Sequence, residues 1–141
     1  MYQFIQSTHS HTRWLVLLTA AIAIIMPFIN NSVSKKSKLP GLAFMIICDI
    51  QLLMGLTLYF SLSPLGLQAF DQGMAFVMKT AEVRKIAVEH FILMLGAIAL
   101  THIGYAKLKK ATEASAVKKI SLIFFGLSLV LILAGIPWAK L

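Results

Sequence analysis

Four stretches of this 141-residue chain are apolar over about 20 residues each, the helical length that crosses the roughly 30 Å hydrocarbon core of a bilayer. Backbone groups in hydrocarbon have no water to bond, so each stretch must satisfy them within its own helix. The expected fold is therefore all-α. It is one integral-membrane four-helix bundle over residues 1–141, with spans at 10–30, 41–61, 86–106 and 120–138 and the N- and C-termini outside. Composition agrees: 59% of residues are apolar and 13% charged, against about 45–50% and about 25% in soluble domains. Disorder would need the reverse balance. The single cysteine, Cys48, rules out an internal disulfide and a Cys-rich zinc site.

Charge placement orients the spans. Lys35, Lys36 and Lys38 follow the first span, and Lys107, Lys109, Lys110, Lys118 and Lys119 follow the third; together they are eight of the 13 basic residues. Lysine-rich short loops mark the cytoplasmic side, so both ends and the 61–85 connection are expected to face outward. Residues 1–12 contain no Lys or Arg and no small-residue cleavage site follows, so the first span reads as retained rather than as a secretory signal. Orientation and contact with anionic membrane lipids account for the net charge of +8, and nucleic acid is not an expected partner. The outer connection carries Leu67, Phe70, Met74, Phe76, Val77 and Met78. That pattern fits either a segment lying in the membrane interface or a greasy cap packed on its own bundle.

Ionisable residues within spans cost a few kcal/mol or more, so each needs a partner or a purpose. A helix from about Gln3 places His9 and Arg13 one turn apart on one face near the outer boundary, with His11 pointing elsewhere. Trp14 is an interfacial belt residue. Arg84 and Lys85 mark the outer end of the third span, so Glu89 and His90 lie about five residues inward, roughly 8 Å. His9 and His90 thus fall at similar depth. His90, Met94, Ala97, Thr101 and Gly104 form one stripe whose small side chains leave room for a flat ligand or a close helix. Asp49 lies near mid-membrane, with Arg13, His102, Gln51 and Thr101 as candidate partners, and reads as a carboxyl tying two helices together. His102 lies twelve residues beyond His90, a rise of about 18 Å and a turn of about 120°, which argues against two haems stacked along one helix. The fourth span has no ionisable residue and ends at Ile136-Pro137-Trp138.

Two imidazoles at one depth beside basic residues suit a haem b, its iron held axially by His9 and His90 and its propionates near Arg13 or Arg84. A copper or other metal site at His9, His11, His90 and Glu89 is chemically allowed but needs the N-terminus to unwind. Nucleotide-binding, HExxH and GxSxG motifs are absent, so an independent soluble-substrate enzyme is not expected. The ordered set His9-Ser10-x-x-Arg13-Trp14, Gln51-Leu52-Leu53-Met54-Gly55-Leu56 with Tyr59, Arg84 to Glu89-His90, Ile103-Gly104-Tyr105-Ala106-Lys107 and Ile136-Pro137-Trp138 resembles a family of small four-span Bacteroidota membrane proteins catalogued as "cytochrome B". The resemblance covers nearly the whole chain. It implies a multi-pass protein of the bacterial inner membrane, a b-type haem and electron transfer, with His9 matching the family's N-terminal histidine and Glu89-His90 its Glu-His pair. Asp49 stands where that family often has a histidine. Two other roles are compatible with the residues: a non-catalytic accessory or assembly subunit of a larger respiratory or other membrane complex, and a proton or metal conduit through Asp49, Glu89 and the histidines. A quinone is a further candidate partner of an electron-transfer module.

Overall fold

The computed structural model describes residues 1–141 and contains helices and turns without a strand. Four of its helical stretches are long and apolar enough to cross a membrane: Tyr2–Asn30, Lys35–Gln72, Ala81–Lys110 and Ala114–Gly135. The first is a single helix, α1 (Tyr2–Asn30), which starts well before the apolar run because nothing in residues 2–9 breaks it. It ends at Asn31, whose φ of 46° closes the helix with an N–H bond to the Pro27 carbonyl, a conformation asparagine tolerates better than most residues. The second helix, α2 (Lys35–Thr57), begins six residues earlier than its apolar span and encloses Pro40. The Ser34 side chain explains the early start, since it caps the helix by accepting from the Ser37 N–H at 3.3 Å. A π-helical turn, Leu58–Leu62, prolongs this span.

The connection that follows is built of short pieces: a 3-10 turn Leu67–Gln72, then α3 (Met74–Lys79) and α4 (Ala81–Arg84). Ala69, Val77, Val83 and Ala87 are buried together, with Leu65, Phe70 and Val88 packed on them. The segment therefore has a small core of its own, while Leu67 and Met74 remain exposed. A π-turn, Lys85–His90, leads into α5 (Phe91–Lys110). The last span is α6 (Ala114–Ile120), a π-turn Ser121–Phe125 and α7 (Gly126–Gly135), closed by a 3-10 turn Trp138–Lys140.

Each span packs on the next in sequence and the fourth returns to the first, so the first and third stand diagonally across the bundle. Both chain ends lie beside the 61–85 connection: Tyr2, Gly66 and Leu141 border one cavity, and Lys140 pairs with Glu82. The lysine-rich turns occupy the opposite end, where Lys38 Nζ donates to the carbonyls of Lys109 (3.2 Å) and Ala111 (2.8 Å) and so satisfies the end of α5.

The tightest packing is toward the lysine end. Phe44 and Phe125 are fully buried and meet edge to face, 5.7 Å apart at 89°. The hydroxyls of Thr101 and Ser128 lie 2.8 Å apart and each reaches the Ala97 carbonyl at 2.9 Å, clasping the third and fourth spans. The inner part of the stripe, Thr101 and Gly104, is thus filled by a close helix, which leaves no space for a flat ligand at that level, whereas Met94 and Ala97 line a cavity. Around the outside, Leu53 is 67%, Ile92 60% and Val130 60% exposed. So continuous an apolar exterior is suited to lipid, which competes little for helix contacts, and would be a liability in water.

Candidate functional site

The cavity between the spans, about 220 Å³, opens at the end that carries both termini and reaches inward to Cys48 and Ala97. On that measure one water needs about 10–15 Å³, so the space is many times larger than a single-water void. Its polar wall comes from α1 (His9, Arg13), α2 (Gln51) and the third span (His90).

His90 owes its aim to two neighbouring irregularities. The π-turn Lys85–His90 widens the helix just before it enters the bundle, a device common at functional positions. The partner of the ring is supplied by the end of α7. Pro137 cannot continue that helix, which leaves its last carbonyls without intrahelical donors. Three side chains take them up: Trp138 Nε1 donates to Leu133 O (2.9 Å), Lys85 Nζ to Ala134 O (2.7 Å) and His90 Nδ1 to Gly135 O (3.0 Å). A proton held on Nδ1 by a carbonyl leaves Nε2 with a free lone pair, the arrangement by which outer-shell carbonyls orient a metal-ligating imidazole.

His9 is fixed through its backbone. Gln51 Nε2 donates to the His9 carbonyl at 2.7 Å, and the Thr12 hydroxyl donates to Gln51 Oε1. This side-chain bridge sets the register of α1 against α2. Gly55, one turn beyond Gln51, makes room for the ring, since a Cβ there would stand 3.3 Å from His9 Cε1. His9 Nδ1 is buried with no hydrogen-bond partner, and such orphans ask for an explanation.

The two rings meet across the diagonal of the bundle, centroids 6.2 Å apart and planes at 77°. Two imidazoles ligating one metal atom, at about 2.0–2.1 Å per nitrogen, place their ring centres about 6 Å apart. The observed separation matches that spacing, although the first and third spans are not neighbours. Arg13 borders the same cavity. Its guanidinium lies over the Trp14 ring, 5.3 Å from the centroid; it has no carboxylate partner, and its Nε is buried without a hydrogen bond. An uncompensated cation beside an apolar cavity favours a ligand carrying negative charge. Tyr59 completes one wall: its ring stacks on Phe91 (4.2 Å, 14°) and its hydroxyl donates to the Ala87 carbonyl at 2.9 Å.

Other sequence candidates lie elsewhere. Arg84 and Glu89 do not face the cavity. Arg84 Nε is 3.2 Å and Lys85 Nζ 3.4 Å from the Glu89 carboxylate, and Arg84 also donates to Met78 O at 2.6 Å. Adjacent residues on a helix diverge by about 100°, so Glu89 points out where His90 points in. His11 turns back onto its own helix, with Nδ1 2.7 Å from Ser7 O. With Glu89 and His11 both turned away, the four donors of the copper alternative do not converge, and no group of three or more His, Cys, Asp or Glu side chains comes together. Of the partners open to Asp49, the structure selects His102: Nε2 lies 2.7 Å from Oδ1 on the outer face of α2 and α5. Thr101, next to it, is buried in the Ser128 clasp instead.

Sequence reasoning did not reach Thr12, Gly135 and Lys140 as parts of this site. Thr12 was signalled by its place one turn from His9 and the Gly135 carbonyl by the Pro137 stop. Nothing in the sequence pointed to Lys140 at the cavity mouth.

Comparison with known proteins gave no match to a family model, a curated protein or a solved structure.

Proposed function

We propose that this chain is a b-type cytochrome-like electron-transfer module of the bacterial inner membrane, related to the small four-span family it resembles, with haem b held between His9 and His90. The observation that carries the reading is the edge-to-face imidazole pair, centroids 6.2 Å apart beside a cavity, with His90 Nδ1 committed to Gly135 O. When bound, the haem would supply one-electron iron chemistry. His90 and His9 would present neutral ring nitrogens to the metal, the first oriented by the end of α7 and the second by the Gln51 bridge. Arg13, one helical turn further into the cavity than His9, would balance acidic substituents of the bound group. Tyr59 and Phe91 exclude water from its wall, which raises the effective strength of every charge inside. The lysine-rich turns would lie at the cytoplasmic face and the cavity mouth would open on the opposite side.

The test is a reduced-minus-oxidised spectrum of the purified full chain after haem-replete expression. Soret and α bands are expected in the wild type and are lost in His9→Ala and His90→Ala. A wild-type protein that folds, gives the expected helical circular dichroism and shows neither band would end this reading.

A further inference from the structure

We infer that the exposed face of α2 and α5 is the contact surface of a homodimer, in which a second copy of this chain docks on the Asp49–His102 pair. Both side chains stand outside the bundle, 40% and 47% exposed. Asp49 lies nine residues beyond Pro40 and His102 five before Lys107, so both are well inside the apolar part of their spans. A pair at that depth is tolerable only with no net charge. Its one bond, Nε2 to Oδ1 at 2.7 Å, then leaves a single donor, His102 Nδ1–H, and a single acceptor, Asp49 Oδ2. Neither has a partner within the monomer, and lipid tails offer none.

A second copy offers what is missing. In a two-fold contact, residue i of one copy meets residue j of the other and the reverse. Each His102 Nδ1–H would therefore meet the other copy's Asp49 Oδ2, closing a ring of four hydrogen bonds. An axis along the membrane normal keeps both pairs at one depth. The surroundings permit the approach. Ala99 and Ala106 are exposed and flank His102 one turn to either side, and small residues let helices come close in membranes. Ile46, Ile50 and Ile103, each 46–47% exposed, supply apolar contact beside them. A passing helix with an apolar face would leave the donor and acceptor unbonded, whereas this chain is complementary to itself.

The experiment is energy transfer between donor- and acceptor-labelled full-length protein in liposomes, over a series of lipid dilutions. Wild type should show transfer that saturates and reverses on dilution as a two-body association. Ala99→Phe with Ala106→Phe, which adds bulk only on the exposed face, should abolish it with helical circular dichroism unchanged. Asp49→Leu with His102→Leu, which removes the polar ring and lowers the cost of lipid exposure, should weaken association about tenfold or more. Three results would overturn the proposal: wild-type transfer no greater than chance proximity at the highest protein density, transfer indifferent to both pairs of substitutions, or a different subunit recovered in place of the second copy. The outcome is independent of whether haem bands are present.

Discussion

Two glycines of the third and fourth spans give a matched test of how closely those helices are held. A methyl group on Gly104 would lie 2.6 Å from Phe124 Cβ and 3.2 Å from Phe125 Cε1, whereas one on Gly126 meets nothing within 4 Å. Carbon atoms rest at about 3.5–4.0 Å, and Phe124 Cβ is anchored to backbone, so Gly104→Ala must part the two spans by about 1 Å. Overpacking of that kind costs about 1–3 kcal/mol. Both substitutions gain the helix preference of alanine over glycine, about 0.8–1.0 kcal/mol, and this term cancels when the two are compared. Gly104→Ala should therefore unfold about 1–3 kcal/mol more easily than Gly126→Ala, and Gly126→Ala should be no less stable than wild type. Reversible unfolding in mixed micelles, titrated with a denaturing detergent and followed by helical circular dichroism, reads the difference. The contact matters to the site because the same two spans bring the Gly135 carbonyl to His90. Equal stabilities for the two variants, or a Gly104→Ala protein more stable than Gly126→Ala, would refute the close approach.

The Thr12–Gln51 bridge should show coupling of about 0.6–1.7 kcal/mol in a double-mutant cycle of Thr12→Val and Gln51→Leu, within the range of hydrogen bonds between membrane helices; strict additivity would remove it from the account of how His9 is fixed. Tyr59→Phe keeps the stack on Phe91 and loses only the bond to Ala87, so stability should fall by about 0.6 kcal/mol, and a loss several times larger would mean the hydroxyl has another role. Arg13→Gln should weaken retention of an anionic ligand in the cavity while leaving helical circular dichroism unchanged; unaltered retention would show that the guanidinium serves only to pack on Trp14.

Four apolar runs separated by polar turns were enough to determine the helices, their number and their alternation, because hydrocarbon allows the backbone no alternative to satisfying itself within each segment. Helical periodicity likewise placed His9 and Arg13 on one face and separated His90 from His102, since both depend on nothing beyond about 100° per residue. Helix boundaries were less legible at the second span, where the Ser34 cap outweighed the apolar pattern, whereas the first helix starts within one residue of the expected Gln3. What no pattern contained was the arrangement across the bundle. The meeting of His9 with His90 from diagonal spans, the choice of His102 for Asp49 over Arg13 or Thr101, and the exclusion of Arg84 and Glu89 from the cavity all turn on which helices are neighbours and how far each is rotated. Those quantities are set by contacts between distant residues, such as Gln51 on the His9 carbonyl and the end of α7 on His90. A helix carries the periodicity of its own side chains, but its rotation toward a partner is decided only when the partner is in place.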